Sequence, residues 1–249
     1  MKIRVFDNPA DAGIYAASLT ERVVETTPTP VLGLATGSTT PPLYDALVSM
    51  EQYGLDLSEA VTINLDEYIG LSANHEQSYH HFMNHHLFSR LRKAPKEIHI
   101  PDGTAADLNE ECHRYDSIIR KNPIDLQILG IGKNGHIGFN EPDDLLVLNT
   151  HVVNLSSDTI QANSRFFDSV DEVPRQALTM GVQAILQAKK IVLMAFGTEK
   201  SDIIAKVVHS PVRTELPATI LQLHRDVTFV LDRDSASKLD MNSLLLSRS

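Results

Sequence analysis

The sequence LGIGKNGHIGFNEP, residues 129–142, directly follows an apolar run, Ile124–Leu129, that predicts a buried strand. Glycines permit tight turns that bring the backbone and polar side chains close to a small ligand, and this stretch carries four of them. His136 stands among them, and an imidazole takes and gives protons near neutral pH. The pattern therefore predicts a strand that ends in a ligand site, with Asn134 and Glu141 as polar neighbours of His136.

Two less specific interpretations of the same stretch were weighed. The first three glycines match the dinucleotide pattern G-x-G-x-x-G: Gly130, Gly132 and Gly135. That pattern must open a helix and precede an acidic residue by about twenty positions, whereas Gly138 and Pro142 oppose a helix and residues 151–155 hold no carboxylate. We therefore expect no dinucleotide. His136 alone is also typical of a hydrogen-bonded core histidine, and only its polar neighbours favour a site.

Apolar runs and helical patterns alternate along the chain of 249 residues. Strands are predicted at Lys2–Phe6, Val31–Ala35, Val61–Leu65, Ile98–Ile100, Ile124–Leu129, Thr150–Leu155, Ile191–Ala195 and Val227–Leu231. Helices are predicted at Asn8–Thr26, from Pro41 onward, and at Ser78–Leu91, Asp107–Lys121, Ser156–Phe167, Pro174–Ala188, Gly197–Val208 and Ala218–Leu223. This order is typical of a mostly parallel α/β sheet with helices on both faces, in one domain that spans residues 1–249. Residues 235–249 form a C-terminal tail whose leucines are compatible with a helix.

Composition narrows the classes of function. The 22 Lys and Arg residues against 32 Asp and Glu residues give a formal net charge of −10, which argues against broad binding to nucleic acid or anionic membranes. Cys112 is the only cysteine, so a disulfide within the chain or a cysteine-built metal site is not expected. The N-terminus lacks the apolar core of a signal peptide, and no apolar run reaches the ~18 residues of a membrane span. We expect a soluble, cytoplasmic protein.

Small hydroxyl residues follow the predicted strand at Val31–Ala35. They surround one glycine and precede two prolines that start a helix: Thr36, Gly37, Ser38, Thr39 and Thr40. Free backbone N–H groups and the positive end of a helix dipole make such a turn an anion site. It is not a Walker A loop because no lysine follows Gly37. An ordinary helix cap explains one hydroxyl equally well, and the four hydroxyls around Gly37 leave phosphate binding and simple capping as comparable alternatives.

Charged side chains follow other predicted strands. Asp66 comes after the strand at Val61–Leu65, where open α/β sheets bind ligands, and is a candidate base. Arg165 and Lys200 are possible partners for an anion, although a single lysine at a helix start is usually a solvated surface residue. Because the strand ends of a parallel sheet share one edge, we expect these clusters to converge.

The predicted helix Ser78–Leu91 carries four histidines: His80, His81, His85 and His86. His81 and His85 are spaced to share a face, but the glutamate of H-E-x-x-H is missing and no third ligand is indicated. We therefore expect no zinc site and interpret the histidines as polar helix positions near a pocket.

Four motifs in order resemble the glucosamine-6-phosphate deaminase family, with similarity from about Val31 to Val230. They are LGLATGST at 32–39, NLDEYIGL at 64–71, GIGKNGHIGFNEP at 130–142 and ANSRFF at 162–167. The resemblance implies a doubly wound α/β sheet. It also implies that D-glucosamine 6-phosphate and water become D-fructose 6-phosphate and ammonia, without a metal or cofactor.

The resemblance also implies roles for individual residues. His136 would be the base that opens the sugar ring, held by Glu141 and Asn134, and Asp66 would move a proton from carbon 2 to carbon 1. The substrate would be bound, mainly through its phosphate, by Thr36, Gly37, Ser38, Thr39, Arg165 and Lys200. An aspartate near its reference pKa of about 3.9 is a weak base, so either the pocket raises that pKa or the substrate's ammonium activates the hydrogen.

The chain departs from the family pattern at three places. Asn134 stands where many relatives carry aspartate, and an amide cannot stabilise an imidazolium by charge. His151 and Val153 stand where the regulated hexameric relatives carry an arginine and a lysine for an allosteric phosphate. We therefore expect a monomer or small homo-oligomer with hyperbolic kinetics. Asp143 stands where a glycine is usual in the family, and the loop that follows it is unusually apolar. We expect a lid formed by this loop to pack differently and to change substrate affinity.

Two rival functions were considered. A 6-phosphogluconolactonase shares the fold and phosphate site, but by family resemblance it carries arginine at the position of Tyr68 and lacks the Phe-Asn-Glu-Pro run. A sugar-phosphate-sensing domain of a transcription regulator needs a DNA-binding element, which an acidic chain with about thirty residues before Val31 does not offer. The joint presence of Asp66, His136 and Glu141 favours catalysis.

Overall fold

The computed structural model describes residues 1–240. Within that range the strands are β1 Lys2–Phe6, β2 Val31–Leu34, β3 Val61–Asn64, β4 Asp66–Tyr68, β5 Glu97–His99, β6 Leu126–Leu129, β7 His151–Asn154, β8 Gln176–Thr179, β9 Lys190–Ala195 and β10 Val227–Asp232. Seven of the described strands form one sheet, in the order β1-β10-β9-β6-β2-β3-β5, and every pair in it is parallel. The predicted doubly wound, mostly parallel α/β fold is confirmed.

Helices connect these strands. They are α1 Pro9–Thr26, α2 Pro41–Gln52, α3 Tyr79–His86, α4 Leu108–Lys121, α5 Ser157–Asn163, α6 Val182–Gln187 and α7 Ser201–His209. Short 3₁₀ helices lie at Phe88–Arg90, Ser164–Phe166, Val170–Glu172, Thr198–Lys200 and Pro217–Leu223. Caps decide where the long helices begin: the side chain of Asn8 accepts the Asp11 N–H at 2.9 Å, and Asp107 accepts the N–H groups of Asn109 and Glu110.

The central strands are buried on both faces and largely apolar, as expected of a parallel sheet that is covered on both sides. Every residue of β2, β3, β6 and β10 is buried. Burial of these Val, Leu, Ile and Phe side chains is the main favourable term in folding, at about 1.5–3 kcal/mol for each fully buried side chain.

The helix predicted at Pro174–Ala188 is wrong in its first half. Residues 176–179 form β8, which pairs antiparallel with β4 on one side and β7 on the other in a small three-stranded sheet of the described chain. Leu178 lies opposite both Glu67 and Val152, so two distant segments provide backbone partners that outweigh the helix propensity of this stretch. The helix starts only at Val182.

Three further boundaries differ from the prediction. The helix predicted at Ser78–Leu91 ends at His86, and the one predicted at Ser156–Phe167 ends at Asn163, so Arg165 lies on a 3₁₀ turn. Of the tail 235–249, residues 235–238 form turns and Leu239 is buried, whereas the other leucines that allowed a helix, Leu244, Leu245 and Leu246, lie outside the described residues. No helix among residues 1–240 is long and apolar enough to cross a membrane.

Candidate active site

The carboxyl ends of β2, β3 and β6 open onto one cavity of about 530 Å³. Loops after these strands, the α5 segment and the turn before α7 form its walls. The structure brings together nine of the ten predicted site residues as lining residues: Thr36, Gly37, Ser38, Thr39, Asp66, Asn134, His136, Arg165 and Lys200. The tenth, Glu141, lies directly behind His136.

A hydrogen-bond network holds the imidazole of His136. Nδ1 of His136 lies 3.4 Å from Oε2 of Glu141, and Nδ2 of Asn134 donates to the same oxygen at 2.6 Å. Oδ1 of Asn134 accepts the backbone N–H of His136 at 3.2 Å. One ring nitrogen thus faces a carboxylate, while the side chain as a whole borders the cavity, which is the arrangement of an oriented general base.

Two hydroxyl residues at the start of α5 complete this network and were not identified from the sequence. Ser156 donates to Oε2 of Glu141 at 3.2 Å, and Thr159 donates to Oε1 of Glu141 and lies 3.4 Å from Nδ1 of His136. A Ser-x-x-Thr cap at a helix start is too common to mark a site on its own.

Glu141 is ionised across the physiological range. Burial alone would raise its pKa, but the hydrogen bond and charge of His136 and the hydrogen bonds of Thr159 and Asn134 lower that pKa to about 2. A permanent negative charge at Nδ1 favours the tautomer that leaves the other ring nitrogen, Nε2, free to accept a proton.

Glycines let the loop after β6 fold around the histidine. A Cβ at Gly132 would lie 2.4 Å from Cε1 of His136, so the ring packs directly on the glycine backbone. Gly138, at φ 58°, approaches the other candidate base, because a Cβ there would lie 3.5 Å from Oδ2 of Asp66. The loop therefore touches both the histidine and the aspartate.

Asp66 begins β4 and is 6% exposed. Burial raises its pKa well above the usual range, and the negative charge of the adjacent Glu67 raises it further. A carboxylate with a raised pKa is a stronger base than an aspartate in water. A cation that enters the cavity beside Asp66 would favour its ionised form.

The far end of the cavity is rich in hydroxyl and cationic groups. Nη2 of Arg165 donates to Oγ of Ser38 at 3.1 Å, and Gly37 takes φ 94° in the turn before α2. Nζ of Lys200 donates to the carbonyl of Ile131 at 2.8 Å. Burial lowers the pKa of Lys200 to about 8. The negative charge of Glu199 partly opposes this shift, and the positive charges of Lys133 and Arg165 lower the pKa further. Such a concentration of donors suits a phosphate.

Aromatic residues form the wall beside Asp66. Tyr79 stacks on Phe139 with ring centroids 6.1 Å apart, and Tyr68 packs against both. The hydroxyl of Tyr68 accepts a 2.8 Å hydrogen bond from Asn163 at the end of α5. Local sequence indicates no role for Tyr79, Phe139 or Asn163, because their positions depend on the pairing of β4 with β8 and on the end of α5.

The remaining candidates lie elsewhere. His151 and Val153 are on β7, and the apolar loop 143–148 packs through its backbone on α6, where Val182 N–H donates to Val147 at 3.1 Å. None of these residues lines the cavity. Among residues 1–240 no group of three or more His, Cys, Asp or Glu side chains could hold a metal ion.

The chain matches the family described as glucosamine-6-phosphate isomerases/6-phosphogluconolactonase over residues 10–230. The chain belongs to this family. Family members include a protein named glucosamine-6-phosphate deaminase from Lactobacillus johnsonii, which is 51% identical over 240 residues, or 96% of this chain and 98% of the relative. Another of the same name, from Thermoanaerobacter sp. (strain X514), is 49% identical over 239 residues, or 95% and 94%. A solved structure described as a monomeric glucosamine-6-phosphate deaminase is 41% identical, covers 96% of this chain and 100% of its own, and superposes with a TM-score of 0.93.

Proposed function

We propose that this chain is a glucosamine-6-phosphate deaminase that converts D-glucosamine 6-phosphate and water to D-fructose 6-phosphate and ammonia. The observation that carries the proposal is that two candidate bases, Asp66 and His136, border one cavity whose far end holds Ser38, Arg165 and Lys200. An amino-sugar phosphate has matching parts: two sites of proton transfer near carbon 1 and a phosphate at carbon 6. Relatives that are 49–51% identical carry the deaminase name.

The first step is ring opening. His136 takes the proton of the anomeric hydroxyl and delivers a proton to the ring oxygen, so that the bond from carbon 1 to that oxygen breaks and an aldehyde forms. Glu141, Asn134 and Thr159 orient the ring, and the charge of Glu141 stabilises the imidazolium that exists between the two transfers.

The second step moves a proton between carbons. The aldehyde at carbon 1 and the ammonium at carbon 2 acidify the hydrogen on carbon 2, and Asp66 removes it to form an enolamine. Asp66 returns the proton to carbon 1, which leaves an imine at carbon 2. Water adds to that imine and ammonia departs, giving the ketose. The raised pKa of Asp66 suits this task, and the substrate's ammonium favours the ionised carboxylate when it arrives.

The phosphate is held at the far end of the cavity. Arg165 offers a planar pair of N–H donors, Lys200 a half-buried ammonium, and the 36–39 turn its hydroxyls and backbone next to the start of α2. Lys133 also lines this region and adds a third cation that the sequence analysis had not singled out. A phosphate anchored there places carbons 1 and 2 toward Asp66 and His136.

The two rival functions have less support. Hydrolysis of a lactone removes no carbon-bound hydrogen, so a 6-phosphogluconolactonase needs no base for that step. This cavity holds a candidate for such a base, the buried carboxylate of Asp66. A sensing domain needs no oriented His136–Glu141 pair. The related deaminase structure is described as monomeric, which supports a monomer or small homo-oligomer of one domain, 1–249. The cytoplasmic location remains a prediction from the sequence.

The decisive experiment is ammonia release from glucosamine 6-phosphate by purified protein, beside Asp66→Asn and a control, Asp226→Asn. Asp226 precedes β10 at the opposite edge of the sheet and pairs with Lys2 on the surface. We expect release by the wild type and the control and a loss of at least about 1000-fold in Asp66→Asn. An inactive wild type that hydrolyses 6-phosphogluconolactone would refute the function, and equal rates in all three proteins would refute the role of Asp66.

A further inference from the structure

The carboxylate of Glu67 is buried against the first turn of α3. Its side chain is 1% exposed. Oε1 accepts the backbone N–H groups of Tyr68 at 2.8 Å and Tyr79 at 2.9 Å. Oε2 accepts the backbone N–H of His80 at 3.0 Å and lies 2.9 Å from Nδ1 of the same residue. Both oxygens are therefore used, and His80 contacts one of them through backbone and side chain.

This carboxylate joins two walls of the active site. Glu67 stands between Asp66 and Tyr68 on β4, and Tyr79, whose N–H it accepts, lines the cavity. Side chains alternate along a strand, so Asp66 faces the cavity while Glu67 faces α3 behind it. The position of the candidate base and the position of the aromatic wall thus depend on one hydrogen-bonded group.

A close backbone contact seals this group from solvent. A Cβ at Gly103 would lie 1.9 Å from the carbonyl oxygen of Tyr68 and 3.4 Å from Cγ of Glu67, so only glycine fits in this turn. Gly70 N–H also donates to the Gly103 carbonyl at 2.9 Å. With water excluded, the charge of Glu67 acts on its neighbours through protein rather than through solvent.

We propose that Glu67 is a positioning residue for the deamination and that His80 is the side chain that holds it, an inference that rests on the function proposed above. The negative charge behind Asp66 keeps that carboxylate a strong base, and the hydrogen bonds to α3 keep Tyr79 at the cavity wall. His80 thereby has a role among the four histidines of α3, which the sequence alone indicates only as polar helix positions near a pocket.

The negative charge of Glu67 acts on the pKa of Asp66 in one direction only. After burial, the charge of Glu67 is what raises the pKa of Asp66. A second carboxylate beside His80 is Asp102, in the turn after β5, whose pKa is lowered by hydrogen bonds from Thr104 and, to a smaller extent, by the charge of His80. Removal of the Glu67 charge should therefore make Asp66 a weaker base that ionises at lower pH.

The first test is Glu67→Gln, which keeps the shape and an acceptor oxygen but loses the charge. We expect kcat to fall about three- to tenfold with KM within about twofold, and the acid limb of the kcat profile to move to lower pH by about one unit. Glu51→Gln is the matched control, since Glu51 is also a buried carboxylate and pairs with Arg92 outside the cavity. It should leave the profile in place even if it lowers the melting temperature.

The second test uses His80. His80→Asn keeps a side-chain N–H near the position of Nδ1, whereas His80→Ala removes it; His85→Ala, on the exposed part of the same helix, is the control. We expect His80→Ala to change kcat by a larger factor than KM. His80→Asn should retain most of the wild-type rate, and His85→Ala should match the wild type. This pair decides the question if Glu67→Gln fails to fold.

The outcomes separate the inference from its premise. A wild-type protein that releases no ammonia would refute the proposed function. An active wild type with a superimposable kcat profile in Glu67→Gln, or with equal rates in His80→Ala and His80→Asn, would refute the role of Glu67 and His80 while leaving the function intact.

Discussion

Nδ2 of Asn134 donates a 2.6 Å hydrogen bond to Oε2 of Glu141, the oxygen that also faces His136. The amide oxygen of Asn134 accepts the backbone N–H of His136, so both ends of the amide are used. An amide is suited to this place because it can donate to a carboxylate. An aspartate there would bring two carboxylates within hydrogen-bonding distance, where they must share a proton or move apart.

Asn134→Asp tests what the amide contributes. A second negative charge beside His136 favours the protonated imidazole, so the neutral base should be available only at higher pH. We expect the acid limb of kcat/KM to move upward by about 0.5–1 unit. Asn109→Asp, on the exposed first turn of α4, is the control. An acid limb that stays in place would contradict the assignment of His136 as the ring-opening base.

The free energy of unfolding should contain a contribution from Glu141 that is lost at acidic pH. Its pKa falls from an ordinary value of 4.5 to about 2 in the folded state, so the stabilisation is present above the unfolded value and is lost as the pH falls toward 2. We expect Glu141→Gln to lower the free energy of unfolding by about 1–2 kcal/mol at pH 7 and by much less near pH 2. Urea unfolding across this range, with Glu25→Gln as an exposed control, measures the difference. A pH-independent difference would contradict it.

Substrate binding should weaken at alkaline pH as Lys200 loses its charge. Because burial lowers its pKa to about 8, the free enzyme loses this charge in mildly alkaline solution. We expect KM to rise above pH 8 in the wild type, and Lys200→Met to raise KM about 10- to 100-fold at pH 7 and to abolish the alkaline rise. Lys206→Met, on the exposed side of α7, is the matched control. Equal KM values in the two variants would exclude Lys200 from phosphate binding.

Gly132 should tolerate no side chain. In Gly132→Ala the new Cβ would overlap the His136 ring at 2.4–2.6 Å, and the imidazole must move away from Glu141. We expect kcat to fall about 100-fold with a smaller change in KM, because misplacement of a catalytic group by about 1 Å has that cost. In Gly130→Ala the Cβ meets nothing within 4 Å, so a much smaller loss is expected. Equal losses would show that general loop stiffness, not the ring contact, matters.

Local sequence patterns predicted the large sheet well. The apolar runs that contain β2, β3, β6, β9 and β10 identified these strands without knowledge of their partners, since a strand buried on both faces is largely apolar at consecutive positions. The glycine-rich loop after β6 and the hydroxyl turn after β2 could be placed at strand ends for the same reason. From that, the expectation that Asp66 and His136 lie close together followed from the geometry of a parallel sheet.

Of the small sheet, only β7 could be predicted in this way. Ala177 in β8 pairs with Tyr68, 109 positions earlier (177 − 68), and with Val153, 24 positions earlier (177 − 153), and a short stretch with alanine and leucine carries no local sign of such partners. As a consequence the sequence places Asp66 at the end of the strand Val61–Leu65 and predicts neither a separate strand at Asp66–Tyr68 nor the capping of α3 by Glu67.

The sequence alone thus determined the fold class and most of the residue types available for chemistry, because both depend on local composition and on the order of strands and loops. Only the tertiary structure decided how those residues act on one another: that Thr159 and Ser156 reach Glu141, and that Glu67 lies buried behind Asp66. Burial, distance and charge are properties of the packed chain, and they set the pKa values on which proton transfer depends.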